Sequence, residues 1–147
     1  AGSSLSINDG DKTQGSNGGW DYYVVRTDSA GVKLWDARFG GSLEDELTTV
    51  LQTGDGGFLL GGFSRSGISG DKSQANWDQS GHDYADYWIV KINAQGVKQW
   101  DKTFGGIYED KLNAIGKEVS LEDIHTTYID SILRGNSMGR IVVNLNL

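Results

Sequence analysis

One phrase is written twice in this chain, as GVKLWDARFGGSLEDEL at 31–47 and GVKQWDKTFGGIYEDKL at 96–112. Nothing else in the sequence narrows the fold as much. Aligning 21–47 with 86–112, an offset of 65 residues, gives fourteen identities in twenty-seven positions. Most of the other pairs are conservative, among them Val24/Ile89, Arg26/Lys91 and Asp28/Asn93. A second match, SINDGDKTQ at 6–14 against SGISGDKSQ at 66–74, has an offset of 60. The second copy therefore carries five extra residues in the loop between, within ANWDQSGHDYA. Self-similarity of this kind marks stacked supersecondary units.

One unit reads as four short strands. DYYVVRT (21–27) is β-branched and aromatic and ends at the turn cluster DSAG. VKLWDARF (32–39) places Val32, Leu34 and Asp36 on one side and Lys33, Trp35 and Ala37 on the other. LTTVLQT (47–53) follows GGSLED, and GDGG gives an Asp-Gly hairpin signal before FLLGGFS (58–64). A long polar loop at 65–85 then leads to the next copy, with its first strand at 87–92. Four-stranded antiparallel sheets in tandem predict propeller-type blades. The boundaries are 1–116 for the repeat region, with units at about 21–85 and 86–116, and 1–20 finishing a preceding unit. A closed propeller takes about four blades or more, so the expected array is incomplete.

Composition agrees with a β-rich reading. Twenty-two glycines with no proline and no Gly-X-Y period imply many tight turns. Five Trp, six Tyr and four Phe supply large buried surfaces from few residues. The formal charge of −7, with Lys and Arg scattered singly, argues against nucleic acid as a partner. Without cysteine there is no disulfide, thiolate metal site or cysteine nucleophile. No stretch is long and apolar enough to predict membrane insertion.

WDKTFGG, TGDGGFLLGGFSRSGISGDKS and DYWIVKINAQGVKQWD resemble the tandem repeats of large secreted or surface proteins from bacteria that use the type IX secretion route. The resemblance covers roughly residues 1–115. It implies β-propeller-like domains, an extracellular or cell-surface location and a binding or adhesive scaffold, and it brings no common catalytic residues. Residues 117–147 have a different texture. Ser120 and Asp123 suggest a helix start, and Leu121, Ile124, Tyr128 and Ile132 fall near helical spacing. Gly135 suits a helix end, and GRIVVNLNL alternates as a strand. This predicted helix–strand tail resembles the C-terminal end of medium-chain dehydrogenases, in a part that carries neither zinc ligands nor the dinucleotide loop.

The candidate residues fall into four sets. Glu44-Asp45 and Glu109-Asp110 recur at one place in each unit, which suits carboxylates anchoring the turn after FGG better than acid/base catalysis. No catalytic residue is assigned. Asp9, Asp11, Asp78, Asp83 and Asp86 cluster in glycine-rich loops and are candidate calcium ligands, with solvated turns the plainer reading. His82 and His125 lack a third partner at zinc-site spacing. Trp35 and Trp100 recur and are expected to pack between sheets. Trp20, Tyr22, Trp77, Tyr84, Tyr87 and Trp88 lie in or beside the long loops, where aromatic rings can stack on sugars or plug the loop. The leading expectation is a non-enzymatic extracellular binding or structural module, with glycans or other copies of the chain as partners. The alternatives are a self-assembling subunit of an oligomer or fibre and a fragment of a polysaccharide-acting enzyme.

Overall fold

The computed structural model describes residues 1–78 and 81–116. The tail at 117–147 lies outside them. Seven strands run in order: β1 (Gly2–Ser4), β2 (Asp21–Thr27), β3 (Lys33–Phe39), β4 (Asp45–Gln52), β5 (Phe58–Ser64), β6 (Asp86–Ile92) and β7 (Lys98–Phe104). All pairings are antiparallel, and they build a three-stranded sheet, β1-β2-β3, and a four-stranded sheet, β4-β5-β6-β7. The described residues are therefore mainly β.

The strands form where the sequence places them, but the sheets are cut elsewhere. Grouping 21–64 as one sheet is incorrect, because the chain leaves the first sheet after Phe39 and enters the second at Asp45. In its first copy the repeated phrase is thus the last strand of one sheet, the FGG turn and the entry to the next, and in its second it runs from β7 through the FGG turn to Leu112, which packs on the far face of the same sheet. The long loop at 65–85 lies within the second sheet, between the paired strands β5 and β6.

The two copies share one register. Tyr22, Val24 and Arg26 face Phe39, Ala37 and Trp35, just as Tyr87, Ile89 and Lys91 face Phe104, Lys102 and Trp100. A register shift falls at Arg26/Thr27 in one copy and Lys91/Ile92 in the other. Each hairpin is closed by a side chain. Asp28 accepts the N–H groups of Ala30 and Val32, and Asn93 those of Gln95 and Val97.

The main core lies between the sheets. Tyr22, Val24, Ala37 and Phe39 of the first pack on Leu60, Trp88, Val90 and Ile92 of the second, with Trp35, Leu47 and Phe58 at the margin. Tyr22 and Trp88 are fully buried with ring centroids 4.8 Å apart. At ~25 cal/mol per Å2, rings of this size each contribute several kcal/mol of hydrophobic stabilisation. The Tyr22 hydroxyl donates to the Trp88 carbonyl at 2.9 Å, so its buried polar end is satisfied. A second cluster on the far face of the four-stranded sheet joins Leu59 and Ile89 to Leu112 and Ile115.

Trp35 and Trp100 part company. Trp35 meets Phe58 edge-on across the sheets at 6.2 Å and donates from its indole to the Ala94 carbonyl at 3.1 Å. Trp100 is 41% exposed, because among the described residues no sheet faces it.

Candidate functional site

The acidic residues are mostly engaged in structure. Asp45 is fully buried, accepts the Gly41 N–H at 2.7 Å and the Ser66 hydroxyl at 3.0 Å, and so holds the FGG turn. Asp110 accepts the Gly106 N–H at 2.8 Å in the same way. The turn-anchoring reading of these two is what the geometry displays. Asp21 and Asp86 sit at the equivalent start of β2 and β6, where Asp21 accepts the Asn17 N–H at 2.6 Å and Asp86 the Trp77 N–H at 2.7 Å. One oxygen of each of Asp21, Asp45 and Asp86 is buried without a hydrogen-bond partner. Burial pushes all three carboxyls up, Asp21 to about 6.

The motif GDK(T/S)Q has a structural role that composition does not show. In each copy it lies as a strap along the outer strand of the sheet. Thr13 and Ser73 donate their N–H groups to Asp36 and Asp101, both at 2.8 Å. Gln14 and Gln74 accept the N–H groups of Arg38 and Thr103 at 3.0 and 2.9 Å. The strap thus occupies donors that an edge strand would offer to another chain. Lys72 in the second strap is buried, donating to the Gln74 carbonyl at 2.8 Å and the Thr103 hydroxyl at 2.6 Å. Burial brings its amine down to about 8, with nearby Asp45, Asp86 and Asp101 opposing the shift.

The predicted calcium residues are placed apart by role. Asp9 and Asp11 are exposed in the first copy's loop, Asp86 is buried under Trp77, and Asp78 and Asp83 border a recess at the loop end of the second sheet. Among the described residues, no group of three or more His, Asp or Glu side chains is arranged to hold a metal ion. Asp83 has a left-handed backbone, φ 55°.

The predicted ligand aromatics also separate. Tyr22 and Trp88 are core residues with no exposed surface, since the β2 and β6 alternation turns both into the inter-sheet space. Tyr87 packs at the margin of the second cluster. Trp20 and Trp77 are 44% and 61% exposed, and Tyr84 is half-buried at the recess.

That recess, of about 220 Å3 and open to solvent, is lined by Leu43, Arg65, Asn76, Asp78, Asp83 and Tyr84 among others. Asn76 orders the loop by donating to the carbonyls of Ser64 and Tyr84 at 2.7 and 3.0 Å. The Tyr84 N–H donates to Asp78 at 3.2 Å. Arg65 joins the two copies of the FGG turn, with its guanidinium 3.5 Å from Glu44 and bonded to Glu109, while also donating to the Asp83 carbonyl at 2.8 Å. The His82 ring stacks on Tyr84 at 5.4 Å, and Tyr108 lies at 6.2 Å from Tyr84. Arg65 and Tyr108 are absent from the sequence-based candidates. A signal for Tyr108 exists, because between FGG and ED, where the two copies are identical on either side, Ile107 and Tyr108 replace Ser42 and Leu43.

No model of a known protein family matches this chain, and no curated protein matches it. Among the described residues, no helix is long and apolar enough to cross a membrane.

Proposed function

We propose that this chain is a non-enzymatic repeat module of propeller type whose loop end binds carbohydrate at a cell surface. The observation that carries the proposal is an open recess lined by Tyr84, Arg65 and Asp83, with the His82 ring stacked on Tyr84 and the Tyr108 ring 6.2 Å from it. Flat rings meet the apolar C–H faces of a sugar, while a guanidinium and a carboxylate meet its hydroxyls. Trp77, 61% exposed between Asn76 and Asp78, extends the aromatic surface. The extracellular location belongs to the same proposal and rests on the phrases shared with secreted repeats. Catalysis is not part of it. Asp45 and Asp110 hold turns, and Glu44 and Glu109 pair with Arg65, so neither ED pair is left as a working acid and base.

A glycan panel, probed with and without calcium, tests the reading. The expected result is binding to a defined glycan set that weakens about fivefold to tenfold in Tyr108→Ala, the loss of one ring contact worth about 1–1.4 kcal/mol. A flat response in both conditions overturns it.

A further inference from the structure

The two faces that meet inside the molecule recur at its opposite ends, where among the described residues Leu112 and Ile115 cover the Ile89 and Tyr87 part of one and leave its Trp100 and Phe104 part exposed. In the internal contact the first sheet contributes the face of Tyr22, Arg26, Trp35 and Phe39, and the second receives it on Trp88, Val90 and Ile92. By the shared register, the contributing face recurs on the second sheet as Tyr87, Lys91, Trp100 and Phe104. The receiving face recurs on the first sheet as Tyr23, Val25 and Thr27. Trp100 and Phe104 are 41% and 46% exposed, and Val25 is 40% exposed where its counterpart Val90 is fully buried. The hairpins make the same point. A Cβ on Gly96 would lie 3.0 Å from the Trp35 ring, whereas one on Gly31, the equivalent glycine, would meet nothing within 4 Å.

We propose that a second copy of this chain docks head to tail, its first sheet seated on the Trp100 and Phe104 side of the second sheet's outer face, beside Leu112 and Ile115. Trp100 of one copy then lies over Gly31 of the next, as Trp35 lies over Gly96 within the chain. Its indole N–H would find the carbonyl of Ser29, the position equivalent to Ala94, which accepts from Trp35 and Arg26. Such a contact joins two different faces, so it propagates into a ring or an open chain of copies rather than stopping at a symmetric dimer. It is looser than the internal contact. Lys102 replaces the buried Ala37, and Phe58 has no counterpart on the first sheet among the described residues. Association that grows with concentration follows. The inference rests on inter-sheet packing and is independent of the carbohydrate reading.

Light scattering on a sizing column, run on the full chain over a concentration series, tests it. The wild type is expected to rise from 15.9 kDa towards multiples of that mass. Trp100→Glu keeps only the receiving face and Val25→Glu only the contributing face, so each alone stays at 15.9 kDa. An equimolar mixture of the two then forms a species of twice that mass and no larger. Far-UV circular dichroism checks that both variants fold, and Phe104→Glu on the same face replaces Trp100→Glu if that variant does not. The proposal is overturned by a wild type that stays at the monomer mass at every concentration, the result expected if residues 117–147 of the same chain cover the face. It is equally overturned if the two variants fail to complement each other, which would point to a symmetric contact.

Discussion

Gln74 accepts the backbone N–H of Thr103 on its side-chain oxygen at 2.9 Å, and Gln14 does the same for Arg38 at 3.0 Å. A residue sixty positions from its twin thus performs the same task on the outer strand of each sheet. Gln74→Ala is expected to cost about 1 kcal/mol, the net worth of one hydrogen bond to a partly exposed donor. Amide exchange at Thr103 should accelerate several-fold, while Gln74→Glu, which retains an acceptor, should protect it. Hydrogen exchange read by NMR checks both. Unchanged exchange in the alanine variant would mean that the strap does not guard the edge.

Much of this fold is legible in the sequence, and its grouping is not. The strands at 21–27 and 58–64 are where alternation and turn residues place them, since side-chain period and turn chemistry are local. Which strands pair is not local. A loop as long as 65–85 looks like a boundary, yet it spans two neighbours in one sheet, and the short FGG turn is the true crossing. The anchoring role of Asp45 could be read because its recurrence at a turn has one simple physical meaning. The strap at 70–74 could not, because an Asp-Lys-Ser run in a glycine-rich loop looks solvated until Thr103 and Asp101 are seen beneath it. Similarly, Tyr22 and Tyr23 are adjacent aromatics on opposite faces, and only the sheet pairing tells which one enters the core.

The tryptophans should divide sharply on substitution. Trp88 is fully buried and its indole donates to Asp101 at 3.1 Å, so Trp88→Ala should destabilise the chain by about 3–5 kcal/mol. Trp77→Ala, at an exposed loop position, should fall within about 0.5 kcal/mol of wild type. Urea titration followed by circular dichroism measures both, and comparable losses in the two would place Trp77 in the core instead.

Two glycines make a matching pair. A Cβ on Gly62 would stand 1.9 Å from the Glu46 carbonyl oxygen and 2.8 Å from the Tyr22 hydroxyl, because β4 and the first sheet both close on that point. Gly62→Ala must therefore push backbone apart, with an expected loss of about 2–4 kcal/mol. Gly54, in the β4–β5 hairpin, has nothing within 4 Å, and Gly54→Ala should leave the melting temperature within a few degrees of wild type. Thermal melts of the two variants decide it, and a tolerated Gly62→Ala would contradict the close packing between β4 and β5.

The pH dependence should be inverted relative to a protein whose carboxylates are all paired. Burial raises Asp21 to about 6, and burial also raises Asp45 and Asp86. Between about pH 4, where these groups ionise in an unfolded chain, and pH 6, the folded state keeps a proton on Asp21 that the unfolded state has released. Through Asp21, stability therefore falls as pH rises through that window by on the order of 1–3 kcal/mol, and Asp45 and Asp86 act in the same direction. Asp36 works in the opposite direction. Although burial opposes ionisation, the Thr13 N–H, the Tyr23 hydroxyl and Lys33 hold it down at about 2. Its contribution is present above about pH 4 and is lost as pH falls from there towards 2. Together the groups place the stability maximum near pH 4–5, below the usual range. Asp21→Asn cannot ionise, so it should flatten the decline between pH 4 and 7 whatever its effect on absolute stability. Melting temperatures of wild type and Asp21→Asn across pH 3–8 supply the test. A wild-type melting temperature that climbs steadily from pH 4 to 7 would show that Asp21 is ionised in the fold and that its orphan oxygen is met by solvent.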